Sequence, residues 1–110
     1  MKYIKQGEWI EIKKKLWDES ILGNPQCGYC EKRKATDLAH AIIYKRYGRK
    51  HRKLITVKEN ACPCCKKCQK FSETKDGRVI AWIWLCKKYG GQHMKDWYDT
   101  LPLEIKELME

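Results

Sequence analysis

The amino-acid sequence predicts a small α+β domain with helices at both ends, and three observations predict it. Apolar residues recur at helical spacing in the first and last thirds of the chain. The middle holds short β-branched segments between turn residues. Cysteine pairs of the form Cys-x-x-Cys bracket that middle. A chain of 110 residues suffices for one domain with one modest core. Residues 1–24 read as an N-terminal helix, 25–75 as the cysteine-bracketed core and 76–110 as C-terminal helices.

From Glu8 to Leu22, Trp9, Ile12 and Leu16, with the neighbouring Ile10, fit an amphipathic helix that Gly23-Asn24-Pro25 stops. Cys27-Gly28-Tyr29-Cys30 reads as a tight knuckle. Thr36 to Tyr44 fits a strand, or a strand running into a short helix. Leu54 to Val57 is short and β-branched, which predicts a strand. Asn60 to Cys68 is a cysteine-dense loop, with a helix starting within or just after it. Thr74-Lys75-Asp76-Gly77 is turn chemistry. Arg78 to Tyr89 places Trp82, Leu85, Cys86 and Tyr89 on one helical face, capped by Gly90-Gly91. His93 to Tyr98 continues as a helical piece, and Pro102 opens a last helix from Leu103 to Met109. There is no internal repeat and no low-complexity linker.

Twenty-four Lys and Arg against 14 Asp and Glu give a formal charge of +10. That balance favours a polyanionic partner, most simply nucleic acid, over an anionic membrane surface. The first eight residues lack the apolar stretch of a secretory signal. The longest apolar run, Val79 to Cys86, falls far short of the roughly 20 residues that span a bilayer. These features predict a soluble protein of the cytoplasm with no membrane partner. A protein partner or a homodimer remains open.

Seven cysteines, an odd number, argue against a disulfide framework. Zinc takes four ligands at the corners of a tetrahedron, and two Cys-x-x-Cys knuckles supply them with no position left over. Cys27 and Cys30 form the first knuckle. The second is either Cys62/Cys65 or Cys65/Cys68, with Cys64 between. Such an ion is structural and its binding couples to folding. Cys86 reads as a core residue.

The order of parts, a cysteine knuckle, a His in an apolar context, an Asn and a second knuckle, resembles the HNH (ββα-metal, His-Me finger) endonucleases that carry a CxxC…CxxC zinc site. Asp37-Leu38-Ala39-His40-Ala41-Ile42 is similar to a phage-type Asp-Leu-His-His-Ala-Ile motif, and Asn60 stands five residues before Cys65, as in that family. This offset selects Cys65 and Cys68 as the second knuckle. Trp97…Leu101-Pro102-Leu103 is similar to the tail of such phage proteins. The resemblance covers residues 27–73 and implies a metal-dependent DNA endonuclease or nickase that leaves 5′-phosphate and 3′-hydroxyl ends. It implies His40 as the general base, Asn60 as the residue that orients it and holds the loop, and a catalytic Mg²⁺ or Mn²⁺ beside the structural zinc. If the protein is phage-encoded, the cytoplasm is that of the host cell.

Two positions depart from the family. Ala39 stands where a metal-ligating His or Asp is usual, and Gln69 where a His usually follows the second knuckle. Gln can hold Mg²⁺ through its amide oxygen, and Asp37 shares a strand face with Ala39, so both are candidate ligands. An enzyme with an altered metal shell, a degenerate relative and an engineered knock-out at position 39 all fit these residues. A non-catalytic zinc-containing DNA- or protein-binding module is the alternative from another class.

Six Lys and Arg fall within residues 45–53: Lys45, Arg46, Arg49, Lys50, Arg52 and Lys53. In the family this segment faces the duplex, so phosphate contact is expected of it, with His51 as part of the patch. Trp82, Trp84 and Trp97 read as core residues in preference to stacking platforms. Trp9 and Trp17 read as core or partner contacts.

Overall fold

The computed structural model describes residues 4–20 and 23–108 of the chain. Among them the elements are α1 (Ile4–Glu19), β1 (Asp37–His40), α2 (Gly48–Ile55), β2 (Ala61–Cys64), α3 (Lys75–Tyr89), α4 (Gly91–Asp99) and α5 (Leu103–Leu108). Single 3₁₀ turns at Lys45–Tyr47, Lys58–Asn60, Lys66–Cys68 and Phe71–Glu73 join them. The fold is α+β, with β1 and β2 paired antiparallel in the register Asp37↔Cys64, Leu38↔Pro63, Ala39↔Cys62 and His40↔Ala61. No helix among the described residues is long and apolar enough to cross a membrane.

The two faces of this hairpin of strands meet different neighbours, because side chains alternate along a strand. Leu38 and Ala61 face α1 and pack with Leu16, flanked by Trp9, Ile12, Trp17 and Trp84. Ala39, Cys62 and Cys64 face the opposite way, into a core that contains Ala41, Ile42, Ala81, Leu85 and Met94. A third cluster of Ile43, Ile55, Leu101 and Ile105 docks α2 and α5 onto the turn after β1. Trp9, Ile12 and Leu16 thus pack as their spacing predicts, while the neighbouring Ile10 stays exposed. Two charged contacts add to this packing: Lys13 with Asp37 at 3.7 Å and Lys88 with Glu19 at 2.8 Å.

Helix α3 has a capped start and a capped end. Thr74 accepts a hydrogen bond from the Gly77 N–H at 3.0 Å, which satisfies one of the orphan donors of the first turn. At the other end Gly90, at φ 101°, donates to the Cys86 carbonyl at 2.8 Å, a conformation that favours glycine. The turn expected at residues 74–77 is therefore the cap and first turn of this helix. Within α3, Ala81 and Leu85 are wholly buried. Pro102 precedes α5 as expected, and its carbonyl accepts from the Ile105 and Lys106 N–H groups; Met109 lies outside the described residues.

Two expectations about strands are corrected. Leu54 to Val57 is not a strand: Leu54 and Ile55 close α2, and Thr56 and Val57 turn out of it. β-branched preference is weak beside burial, and here Ile55 is buried by Ile43, Leu101 and Ile105. The partner of β1 is Ala61-Cys62-Pro63-Cys64, inside the segment read as a loop. Pro63 lacks an N–H for a ladder, which an edge of a two-stranded sheet tolerates, and its carbonyl accepts from Gly28 at 2.8 Å.

Candidate metal centre and basic segment

The Sγ atoms of Cys27, Cys30, Cys65 and Cys68 all lie within 4.8 Å of one another. Cys30 and Cys65 are 3.9 Å apart. Four sulfurs bound tetrahedrally at about 2.3 Å from zinc stand about 3.8 Å apart, so the cluster fits such an ion with little adjustment. The four cysteines are placed to hold a structural metal ion such as zinc, and the second knuckle is Cys65/Cys68, not the Cys62/Cys65 pair that spacing alone left open.

Local backbone geometry builds each knuckle. In the first, Cys27 N–H donates to the Arg33 carbonyl at 2.8 Å and Glu31 N–H returns to the Cys27 carbonyl at 3.0 Å. Glu31 takes φ 57° to close the turn. Gly28 is required by packing: a Cβ there would sit 2.5 Å from Cys62 Sγ and 3.1 Å from the Trp84 ring. In the second knuckle, Cys68 N–H donates to the Cys65 carbonyl at 3.1 Å, which curls Cys68 back toward Cys65. The hydrogen bond from Gly28 to Pro63 ties the first knuckle to β2.

The electrostatics call for a cation. The Lys32 N–H points at Cys30 Sγ from 3.5 Å, and with the Arg33 N–H it pulls that thiol down to about 6 against desolvation. Burial and the neighbouring sulfurs drive the Cys68 thiol the other way, well up. Adjacent thiols cannot all ionise together; a metal ion removes that conflict. Cys62 and Cys64 stay outside the cluster. Both are buried, burial raises both thiols, and Cys64 donates to the Cys65 carbonyl at 3.2 Å.

His40 ends β1 on the face that α1 covers. Its imidazole is stacked flat on the Trp9 indole, ring centroids 4.1 Å apart and planes 5° apart. Desolvation pushes its pKa down to about 4; the Lys45 cation adds to the shift and Asp37 opposes it. Its ring is therefore neutral at pH 7. Asn60 is fully buried. Its Oδ1 accepts from the Ile42 and Ile43 N–H groups at 2.8 and 2.7 Å, and its Nδ2 donates to the Ile43 and Ile55 carbonyls at 2.9 and 3.0 Å. All four positions of the carboxamide are committed to backbone, so the side chain pins the chain between the strands, and its backbone carbonyl accepts from Ala41 N–H at 2.8 Å.

The remaining candidates lie near the surface. Asp37 is exposed; its Oδ1 accepts from the Leu38 N–H at 2.9 Å and faces Lys13. Gln69 is exposed just past the second knuckle. Among the described residues, the four cysteines are the only group of three or more His, Cys, Asp or Glu side chains arranged to hold an ion. In the basic segment Lys45, Arg46, Lys50, Arg52 and Lys53 are exposed, and the Arg49 side chain lies outside the described residues. Arg46 rests over the Tyr44 and Tyr47 rings at 4.9 and 5.3 Å. Lys50 and His51 both approach Glu104, at 3.3 and 3.6 Å. The Trp9 lid on His40 has no local sequence signal, since it joins residues far apart in the chain. Comparison with protein-family models, with curated proteins and with solved structures returns no match.

Proposed function

We propose that this chain is a zinc-stapled HNH-type (ββα-metal) domain that acts on DNA as an endonuclease or nickase. One arrangement carries the reading. A four-thiol centre brackets an antiparallel strand pair, His40 ends the first strand, Asn60 leads directly into the second, and helix α3 follows. A cationic segment lies between His40 and Asn60.

The chemistry asked of these residues is proton removal from water and retention of the phosphate. A neutral imidazole at the strand end accepts the proton. Lys45, whose charge already acts on His40, and the exposed cations after it hold the phosphodiester and give salt-sensitive affinity. A catalytic Mg²⁺ or Mn²⁺ in this family would supply charge stabilisation, but the residues around His40 do not form a shell for one. Ala39 offers no donor, and the Asp37 carboxylate is engaged by Leu38 N–H and Lys13.

That mismatch favours a second reading, a non-catalytic zinc-containing DNA- or protein-binding module on a degenerate HNH fold. A plasmid-nicking assay with Mg²⁺ or Mn²⁺, run on this chain and on Ala39→His beside a gel-shift assay, separates the two. Nicking by the chain itself supports the nuclease. Nicking by Ala39→His alone means that the site is disabled at position 39. DNA binding without nicking in either favours the module, and absence of both activities overturns the proposal.

A further inference from the structure

Helix α3 has two unlike sides. Gly77, Ala81 and Leu85 are buried against the core. On the opposite side Asp76, Val79, Ile83 and Lys87 are exposed, at the three- and four-residue spacing that aligns side chains along one helix face. Val79 is 58% exposed and Ile83 46%. The stripe therefore runs acid, apolar, apolar, base from the start of the helix to its end. Among the described residues neither Asp76 nor Lys87 forms an ion pair within the chain, whereas the neighbouring Lys88 is taken by Glu19 at 2.8 Å.

This pattern becomes its own complement when reversed. Val79 and Ile83 lie symmetrically about the height of Ala81, and Asp76 and Lys87 stand almost equally far from it. At a rise of about 1.5 Å per residue, a two-fold axis at that height sets Val79 level with the partner's Ile83. The same axis brings Asp76 within about 2 Å of the level of the partner's Lys87. Each contact then occurs twice, as an isologous interface requires. Ile80 and Trp82, half-buried on the two flanks of the stripe, come to the height of the axis. A parallel pairing would instead align like charges and the two helix dipoles.

We propose that α3 packs antiparallel on α3 of a second copy of this chain, joining Val79 to the partner's Ile83 and Asp76 to the partner's Lys87. Charge complementarity selects this occupant. An unrelated apolar segment would cover Val79 and Ile83 but make no use of the opposite charges that bracket them at matched distances. The contact is small: a single helix pair lies below the roughly 1,200 Å² of stable complexes, so association is weak and concentration-dependent. The charge of +10 on each copy opposes it at long range. Salt of about 0.15 M, with a screening length of about 8 Å, removes most of that repulsion and leaves the contact pairs in place. Nothing in this pairing depends on the DNA-acting reading above.

The test is sedimentation equilibrium of the zinc-loaded chain, free of nucleic acid, from about 10 μM to about 1 mM in about 0.15 M salt. A monomer–dimer equilibrium is expected within that range. Ile83→Lys should abolish it. Asp76→Lys and Lys87→Glu should each weaken it about five-fold or more, since both contacts turn from attraction to repulsion. The double variant should regain the parent's affinity to within about two-fold, and an equimolar mixture of the two single variants should form the mixed dimer, because each restores both pairs. Lys87→Glu is the sharpest arm: it lowers the net charge and would strengthen an association governed by charge alone. All these positions are exposed, so the helical circular dichroism should stay that of the parent. A chain still monomeric at about 1 mM overturns the proposal. So does a dimer that survives Ile83→Lys, that Lys87→Glu strengthens, or that the double variant fails to restore.

Discussion

Removing the Asn60 carboxamide is expected to be among the most damaging single changes outside the thiol centre. The side chain is wholly buried and makes hydrogen bonds to Ile42 N–H, Ile43 N–H, Ile43 O and Ile55 O. At about 1 kcal/mol net for each bond, and more where a backbone group is left buried without a partner, Asn60→Ala should cost about 4 kcal/mol. That is a large share of the roughly 5–15 kcal/mol a small domain has in total. Asn60→Leu fills nearly the same space but makes none of the bonds, so it should cost about as much. Equilibrium urea unfolding of the zinc-loaded protein measures both, and hydrogen exchange at the Ile42 and Ile43 amides reports whether the clamp itself has opened. If either variant lies within about 1 kcal/mol of the parent, or if those amides stay protected, the clamp argument is wrong.

Cys27→Ser and Cys65→Ser should each abolish stoichiometric zinc binding and leave the chain largely unfolded, whereas Cys62→Ala should keep one equivalent of zinc; metal analysis with circular dichroism distinguishes them. Gly28→Ala forces a methyl against Cys62 Sγ and the Trp84 ring and should destabilise by about 1–3 kcal/mol in the same urea assay. The folded His40 pKa of about 4 lies below the ordinary 6.5. Between those values the unfolded chain binds the extra proton, so this group withdraws stability as pH falls from 6.5 to 4. His40→Gln should flatten that part of the pH profile, and Trp9→Ala should raise the His40 midpoint seen by NMR. Lys45→Glu with Lys53→Glu should weaken duplex binding and lower the slope of log affinity against log salt.

Features with a local cause were legible in the sequence. A four-thiol candidate metal centre was legible, because each knuckle closes within a few residues, but spacing alone did not choose between Cys62/Cys65 and Cys65/Cys68. The helical stripes of Trp9, Ile12 and Leu16, and of Trp82, Leu85 and Cys86, are equally local. Residues 54–57, which end α2 instead of forming a strand, and residues 61–64, which form β2 instead of a loop, departed from expectation for a reason of another kind. Ile55 is buried by residues 12 to 50 positions away, and Cys62 with Pro63 has no strand signature of its own. The clamp role of Asn60 was only half legible: its offset from Cys65 marked it out, but its four backbone partners depend on how the intervening loop folds back. The flat contact of Trp9 on His40 joins α1 to β1, and no pattern within either segment announces it.

The two knuckles sit at either end of a stretch that contains both strands, α2, His40 and Asn60. An ion gripped by all four sulfurs converts this stretch into a ring closed by coordination in place of a covalent cross-link. A protease cut inside the ring, in the exposed cationic segment, would leave two fragments still fastened together, to separate only when a chelator withdraws the metal. Zinc supply would thus govern both assembly of the domain and its tolerance of a broken backbone.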